Sequence, residues 1–566
     1  MSKVDNIVTK YYYTIMKFGQ RLRQLRKSTG LGVKNLAKQI KINHSYLSRI
    51  ESGLVQPSEQ VVQKLARILA HDEDELMLLA NRIPRAWRNV IWQSPRETTL
   101  FIRESLAEYA TTATNNKQAK LSELSVATAQ TPTNGKTSAF CDPAFAVNKS
   151  RPIHRWVPWI AGFSSDFVKG AIDKYLPHAG TILDPFAGVG TTLVDAILSG
   201  HNAIGFEINP YAALACRVKA LAYQIAPDEL QEEIFGFRKF CAAKMLNGYT
   251  PTSLPPEGFK TRSNFYSPSV LRKVLIAQDF IRSIKKDRLK DIFRLAFGST
   301  MVSYSNYSYE PSLGRRVSAG KKEIHDFPVD QALLEKLKHI ADDVIWLKER
   351  LAHRPKRVEI FNDSFFSCQK YMPAGSAHLI ITSPPYLNNY HYNRNTRPQL
   401  YWLEFVKEPN NMRSLEQNNF GKYWQTVRDL EEVPLRFKLP GTDMADRLGQ
   451  IRELNTNRGV YGGRGWANYA ASYFNDCYSF TKSIQYVLKP GGTALVVIGN
   501  SILQGVLIPT DQYFGKIAES AGLELVGIEI PRATRIGNSI IKSDVRVGKA
   551  QASHQLYEAV VELRKR

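Results

Sequence analysis

Apolar residues between Lys17 and about Ala80 recur at helical spacing in short segments. Phe18, Leu22 and Leu25 predict a first helix ended by Gly30, and Leu36, Ala37 and Ile40 a short second one. Tyr46, Leu47 and Ile50 predict a third, closed by Glu51–Gly53. The stretch from Pro57 to Leu76 reads as one further segment. Ser58 stands at its cap position, and its apolar stripe is Val61, Leu65, Ile68 and Leu69. The pattern fades after Leu100, and residues 111–140 are polar, small and poor in aromatics, which predicts a flexible linker. Beyond it the period changes. Thr181–Leu183 and Asn202–Phe206 read as strands on either side of a glycine-rich loop and a helix that opens at Thr191–Thr192. Further strands are expected at 358–366, at 377–382, within 486–501 and, as a closing pair, at 523–532 and 556–565. Strands alternating with helices predict an α/β fold with a Rossmann-like, mostly parallel seven-stranded sheet, preceded by a small all-α domain. Two long stretches fall outside this alternation, one largely helical from about 220 to 355 and one from about 388 to 468.

Charge changes the picture. The chain has 566 residues, 43% hydrophobic and 23% charged, an ordinary globular balance, but its net charge of +24 points to a polyanionic partner, most simply nucleic acid. Five cysteines, at 141, 216, 241, 368 and 477, form no C-x-x-C pair, so neither a disulfide framework nor a zinc site is expected. No apolar run approaches the ~18 residues of a membrane span, and the N-terminus lacks a secretory apolar region. A cytoplasmic, DNA-associated protein of a prokaryote-like cell is expected, without a membrane partner.

Two short helices joined by the turn Lys41–Asn43 follow the helix-turn-helix plan, whose second helix enters the major groove. The run "LAKQIKINHSYLSRIESGLVQPS" resembles the Cro/repressor type of that domain over residues 17–80. The resemblance implies that His44, Ser45, Tyr46, Ser48 and Arg49 face DNA, while Ala37, Leu47 and Ile50 pack inside. It departs from the family at Val33, where a phosphate-contacting glutamine is common. Residues 81–149 would be a helical segment and the linker, and 150–566 a second large domain.

In "GTILDPFAGVGTT", Gly188 and Gly190 let the backbone turn sharply and approach a ligand, and Glu207 ends the next strand, where a carboxylate can accept from both hydroxyls of a ribose. The loop is not G-x-G-x-x-G, and its Asp184-Pro185-Phe186 entrance does not suit a pyrophosphate. A carboxylate there prefers a cation. Together "DPFAGVGTT", "GFEINP" and "TSPPY" resemble the amino-methyltransferases that modify exocyclic nitrogens of DNA bases. That likeness implies S-adenosylmethionine as cofactor, with Asp184, Pro185, Phe186, Gly188, Gly190 and Thr191 around it and Glu207 on the ribose. Gly162, Phe163 and Ser164 would meet its methionine end, and Asp363 its adenine ring.

The apolar strand that begins at Ala377 stops at Ser383-Pro384-Pro385-Tyr386, because proline cannot extend a ladder. Methylating an exocyclic amine needs acceptors on its protons, and the Ser383 hydroxyl and Pro384 carbonyl can supply them, the latter fixed by the ring. Tyr386 can stack on a base flipped out of the duplex. The Ser form of the motif resembles enzymes acting on cytosine-N(4), with adenine-N(6) the alternative. Methylation at cytosine carbon 5 would need a cysteine nucleophile, and none of the five cysteines sits in that family's Pro-Cys loop. Arg315 and Arg316 in the first long stretch, and Arg394, Arg397 and Arg464 in the second, stand among tyrosines and amides in mixtures suited to DNA. Either stretch is a candidate for target recognition. Two further readings stay open, guanine-N(2) methylation of RNA and a regulator with an inactive methyltransferase fold. A cognate restriction endonuclease acting on the same site is a partner implied only by family likeness.

Overall fold

Short aliphatic runs become the seven strands of the central sheet: β1 (Thr181–Asp184), β2 (Asn202–Phe206), β3 (Val358–Phe361), β4 (Ala377–Thr382), β5 (Leu488–Gly499), β6 (Glu524–Arg535) and β7 (Gln555–Arg564). Their order is β6-β7-β5-β4-β1-β2-β3. β1 to β5 pair in parallel, and β7 runs antiparallel to both its neighbours. Order reverses between β1 and β4, and in an open parallel sheet ligands bind outside the strand ends at such a point. In this computed structural model the described residues are 18–52, 55, 57–69, 71–80, 82, 140, 141, 143, 148–159, 162, 164–246, 248–309, 313–351, 357–387, 392–421, 424–535 and 555–566.

Successive strand residues face opposite ways, so each strand feeds two cores. Leu183, Ile204, Ile380 and Val496 pack with Phe474, Phe480 and Phe514 on one side. Ile182, Ala203, Leu379 and Leu495 pack with Phe167, Leu193 and Ile197 on the other. The sheet is therefore covered on both faces, which is why its strands read as continuous apolar runs. The stretch after residue 220 contributes the helices Pro227–Leu246, Pro268–Ser283, Asp287–Thr300 and Val329–Arg350, packed around a core that includes Phe237, Val274, Phe293 and Leu337. Asp343 on the last of these helices is buried and accepts from Ile153 N (2.8 Å), Arg155 Nη2 (2.6 Å) and Trp156 Nε1 (2.8 Å). The later stretch is built of short helices between Tyr392 and Glu453 that lead into the long helix Gly463–Val487.

The chain divides into two compact units, 1–134 and 135–566. In the first, the helices Phe18–Ser28, Val33–Gln39 and His44–Glu51 close on Leu22, Leu36, Leu47 and Ile50, all buried. Asn43 starts the third of these helices by accepting from Ser45 N at 2.8 Å. The segment read as continuous from Pro57 to Leu76 is instead two helices, Glu59–Ile68 and Glu73–Leu79. Asp72 breaks it: its side chain accepts from Glu75 N at 2.8 Å and begins a new helix. Residues 111–139 of the segment expected as a linker lie outside the described residues, as does most of 81–149.

Candidate functional site

Asp184, the last residue of β1, is buried, and its Oδ1 accepts from Phe186 N (3.0 Å) and Thr382 Oγ1 (2.6 Å). It thereby joins the ends of β1 and β4. Burial pushes its carboxyl up to about 6, against those hydrogen bonds. The loop that follows turns at Gly188 (φ +51°) and Gly190 (φ +82°). A β-carbon on Gly190 would lie 3.0 Å from Cys216 Sγ and 3.1 Å from Cys216 Cα. The second loop glycine thus serves the close approach of helix Pro210–Ala220 rather than a ligand. Buried Lys219 on that helix donates to Val189 O at 2.7 Å and holds the loop from below.

Glu207 follows β2. Its Oε2 accepts from Gly188 N (2.8 Å) and its Oε1 from Asn209 N (2.7 Å), and withdrawal from water pushes its carboxyl up to about 7. Asp363, two residues past β3, accepts from Ser364 N (2.7 Å) and from the Tyr371 hydroxyl (2.8 Å). After β4, the Ser383–Tyr386 turn is held from behind: Tyr473 donates to Pro385 O (2.9 Å) and Ser501 to Leu387 O (2.6 Å).

These strand ends open on one cavity of about 560 Å³, a size ordinary for a site that takes a cofactor. The structure brings to its wall Asp184, Pro185, Phe186, Gly188, Thr191, Glu207, Asp363, Ser383, Pro385 and Arg394, all marked from sequence. Others stand elsewhere. Ser164 is buried as a helix cap, accepting from Phe167 N at 3.2 Å, and Phe163 lies outside the described residues. Gly190 and Pro384 are absent from the lining, as is Tyr386. The Tyr386 ring packs against Gly499, and its hydroxyl bonds to Glu558 (3.3 Å) and receives the Ser383 hydroxyl at 3.5 Å. Its place is behind the turn.

The two arginine clusters separate. Arg397 donates to Lys260 O at 2.8 Å and stacks over Phe259 and Tyr401, so it braces the fold. Arg316 donates to Lys322 O at 3.0 Å within its own loop, and Arg315 is exposed. The tyrosines before them are core: Tyr304 is fully buried and Tyr307 nearly so. Arg394 and Arg464 are exposed, the former at the cavity. In the N-terminal unit His44, Ser45, Ser48 and Arg49 are exposed on one helix, while Tyr46 leans half-buried on the core, where Ala37, Leu47 and Ile50 are buried.

The cavity's far wall was not marked from sequence: Glu416, Phe420, Trp424, Arg428, Trp466 and Tyr469. Phe420 meets Phe186 edge to face at 5.1 Å, which joins the two walls. The aromatic content of "NRGVYGGRGWANY" was the available signal, since Trp466 and Tyr469 belong to it. Among the described residues no group of three or more His, Cys, Asp or Glu could hold a metal ion, and no helix is long and apolar enough to cross a membrane.

Comparison with known proteins finds likenesses over both parts of the chain. A family described as helix-turn-helix domain matches residues 17–79, and one described as DNA methylase matches residues 65–216. The type II methyltransferase M.BsoBI of Geobacillus stearothermophilus is 22% identical over 435 residues, covering 70% of this chain and 83% of that protein. The type II methyltransferase M.AvaI of Nostoc sp. is 26% identical over 417 residues, covering 70% of this chain and 84% of that protein. The HTH-type transcriptional regulator DdrOP3 of Deinococcus deserti is 42% identical over 60 residues, 10% of this chain and 46% of that protein. With a helix-turn-helix match in front and a mostly parallel sheet ending in Asp184, Glu207 and Ser383, the chain is homologous to type II methyltransferases and matches the DNA methylase family over residues 65–216.

Proposed function

We propose that the protein methylates the exocyclic amine of a cytosine flipped out of double-stranded DNA, giving cytosine-N(4) methylation within a restriction-modification setting. The observation that carries the proposal is that Ser383 and Pro385 line the same cavity as the glycine loop, Glu207 and Asp363. The residues suit the cofactor that the likeness implies: Gly188 turns the loop at the cavity, Glu207 offers a carboxylate to ribose hydroxyls, and Asp363 lines the same cavity past β3, where it can accept from an adenine amine. S-adenosylmethionine, when bound, supplies an electrophilic methyl group. The rest is the chain's own work. Ser383 Oγ, at the cavity, accepts from the amine and so directs the nitrogen lone pair toward the methyl, while the two prolines stiffen the turn that aims it. Tyr473 and Tyr386 keep that turn in place. Phe186 and Phe420 exclude water around the reacting atoms.

The helix carrying exposed His44, Ser45, Ser48 and Arg49 binds duplex DNA, either to add a contact to the substrate or to restrain expression of the enzyme's own gene. A Ser45→Ala, Arg49→Ala variant that methylates normally and loses promoter binding supports the second role. A matching endonuclease is the partner such a methyltransferase protects against.

The decisive test is nucleoside mass spectrometry on DNA incubated with the protein and labelled S-adenosylmethionine, beside Ser383→Ala. Labelled N(4)-methylcytosine that falls at least a hundredfold in the variant is expected. Labelled N(6)-methyladenine moves the reading to adenine, which the serine form of the motif disfavours. No labelled DNA base sinks it.

A further inference from the structure

Asn209 stands two residues past Glu207 and is only 2% exposed. Its backbone N–H is one of the donors that hold Glu207, at 2.7 Å. Its side-chain oxygen accepts from Tyr211 N (3.1 Å) and Ala212 N (3.2 Å) and so caps the helix Pro210–Ala220. Capping uses the oxygen alone. The amide nitrogen directs both of its protons to the second insertion, one to Asn393 Oδ1 (2.9 Å) and one to Thr396 Oγ1 (2.8 Å). Those two acceptors are buried, and between them in the chain Arg394 is exposed at the cavity. Arg394 belongs to the four-residue helix Tyr392–Asn395. So short a helix does not hold itself, because one turn returns too little for its nucleation. Tertiary bonds set its place. Asn209 supplies those on one side; on the other, Asn395 O accepts from the Tyr309 hydroxyl (3.0 Å) and Asn395 Oδ1 from Leu313 N (3.3 Å). Glu416, which also lines the cavity, feels the arginine: burial pushes its carboxyl up, and Arg394 and Arg413 pull against that shift.

We propose that Asn209 is a positioning residue for DNA: it fixes the turn that carries Arg394, whose guanidinium meets a backbone phosphate beside the base to be methylated. This rests on the DNA methylation proposed above. A nucleotide that brings its base to Ser383 leaves its phosphates outside the base pocket, and phosphate is the bidentate match of a guanidinium. An arginine on an untethered turn must be ordered when DNA binds. One whose backbone is already held at residues 393 and 396 has less freedom to lose. The same asparagine thus serves two ligands through separate atoms. Its backbone N–H steadies the carboxylate offered to the cofactor, and its side-chain nitrogen steadies the arginine offered to DNA. The two duties can therefore be separated by substitution.

The test uses the full-length protein and Asn209→Ser, which keeps an oxygen for the helix cap and the backbone N–H for Glu207 but deletes the amide nitrogen. Initial rates on unmethylated plasmid DNA give kcat and KM, and equilibrium dialysis gives the affinity for S-adenosylmethionine. KM for DNA is expected to rise about fivefold, with kcat and cofactor affinity within twofold of the parent. Arg394→Ala should raise KM by a similar factor, and the double variant should be no worse than the worse single one. Filter binding across a salt series should lose a log–log slope of about one in both single variants, the mark of one lost phosphate contact. Thr396→Val removes one acceptor and leaves the cap alone, so it should also raise KM, and it carries the test if Asn209→Ser does not fold. KM factors that multiply in the double variant overturn the proposal, since Asn209 would then act apart from Arg394. An unchanged salt slope in Arg394→Ala, or cofactor affinity lost in step with KM, does the same. A parent protein that labels no DNA base removes the methylation reading itself, and the proposal with it.

Discussion

The two walls of the cavity are built on opposite principles. On the strand-end wall every carboxylate is already engaged: Asp184 by Phe186 N and Thr382, Glu207 by Gly188 N and Asn209 N, Asp363 by Ser364 N and Tyr371. The far wall is aromatic, lined by Phe420, Trp424, Trp466 and Tyr469. A satisfied wall is set before anything binds, which suits a cofactor of fixed shape. An aromatic wall offers ring faces rather than placed charges, so its contribution falls on packing against a planar group.

That contrast can be broken at its strongest point first. Asp184→Ala strands the Thr382 hydroxyl and Phe186 N–H at the centre of the sheet, each worth about 1–3 kcal/mol. Methyl transfer should fall below detection, with a lower melting temperature by calorimetry. A variant that melts like the parent would show that the strand-end wall does not depend on this carboxylate. Gly190→Ala comes next. A left-handed residue with a β-carbon costs about 1–2 kcal/mol, and here the new methyl also meets Cys216. Urea unfolding should register that loss, and equal midpoints would refute the close-packing account.

Glu207 sharpens the comparison through pH. Its folded value, about 7, lies above the ordinary carboxylate range, so the folded state holds that proton more tightly than the unfolded one. The group's contribution to stability is therefore complete at pH 4 and is lost as pH rises through 7. Asp184, at about 6, has the same sign. Melting temperature without cofactor should decline from pH 5 to pH 8, while affinity for S-adenosylmethionine rises as Glu207 ionises. Glu207→Gln should flatten the affinity profile, and a profile that keeps its shape in the variant would place the titrating group elsewhere. On the far wall, Arg428→Ala should raise KM for DNA about threefold through the lost cation–π contacts, with cofactor affinity untouched. Smallest of all, Arg397→Ala removes a brace away from both walls. About 1 kcal/mol of stability should go, with DNA kinetics unchanged, and a change in KM would restore Arg397 to the DNA surface.

What could be read in advance follows the same division. Residues at strand ends were legible because strand, turn and carboxylate are neighbours in the chain: Asp184, Gly188, Glu207, Asp363 and Ser383 all reach the cavity. Tyrosines near arginines were not. Tyr304 and Tyr307 carry the same composition as a nucleic-acid surface, yet they fill the core of a helical insertion, and only packing separates the two uses. Trp424 and Trp466 are 42 residues apart and meet through the fold of the second insertion, a pairing no local pattern announces. The split at Asp72 had a local sign that helical periodicity hid. An aspartate followed by three acidic residues is a helix start as much as a helix middle.

Asp343 has a consequence for how such enzymes diversify. A carboxylate on the first insertion grips Ile153, Arg155 and Trp156, the segment that leads to Trp159 at the cavity. Cut away the insertion, and that segment loses its tether while four donor groups lose their acceptor. The module is therefore not a cassette that can be exchanged between relatives at its two junctions. A working chimera must carry residues 153–156 and the helix around Asp343 together, so the two pieces are inherited as one unit although nearly 190 residues separate them.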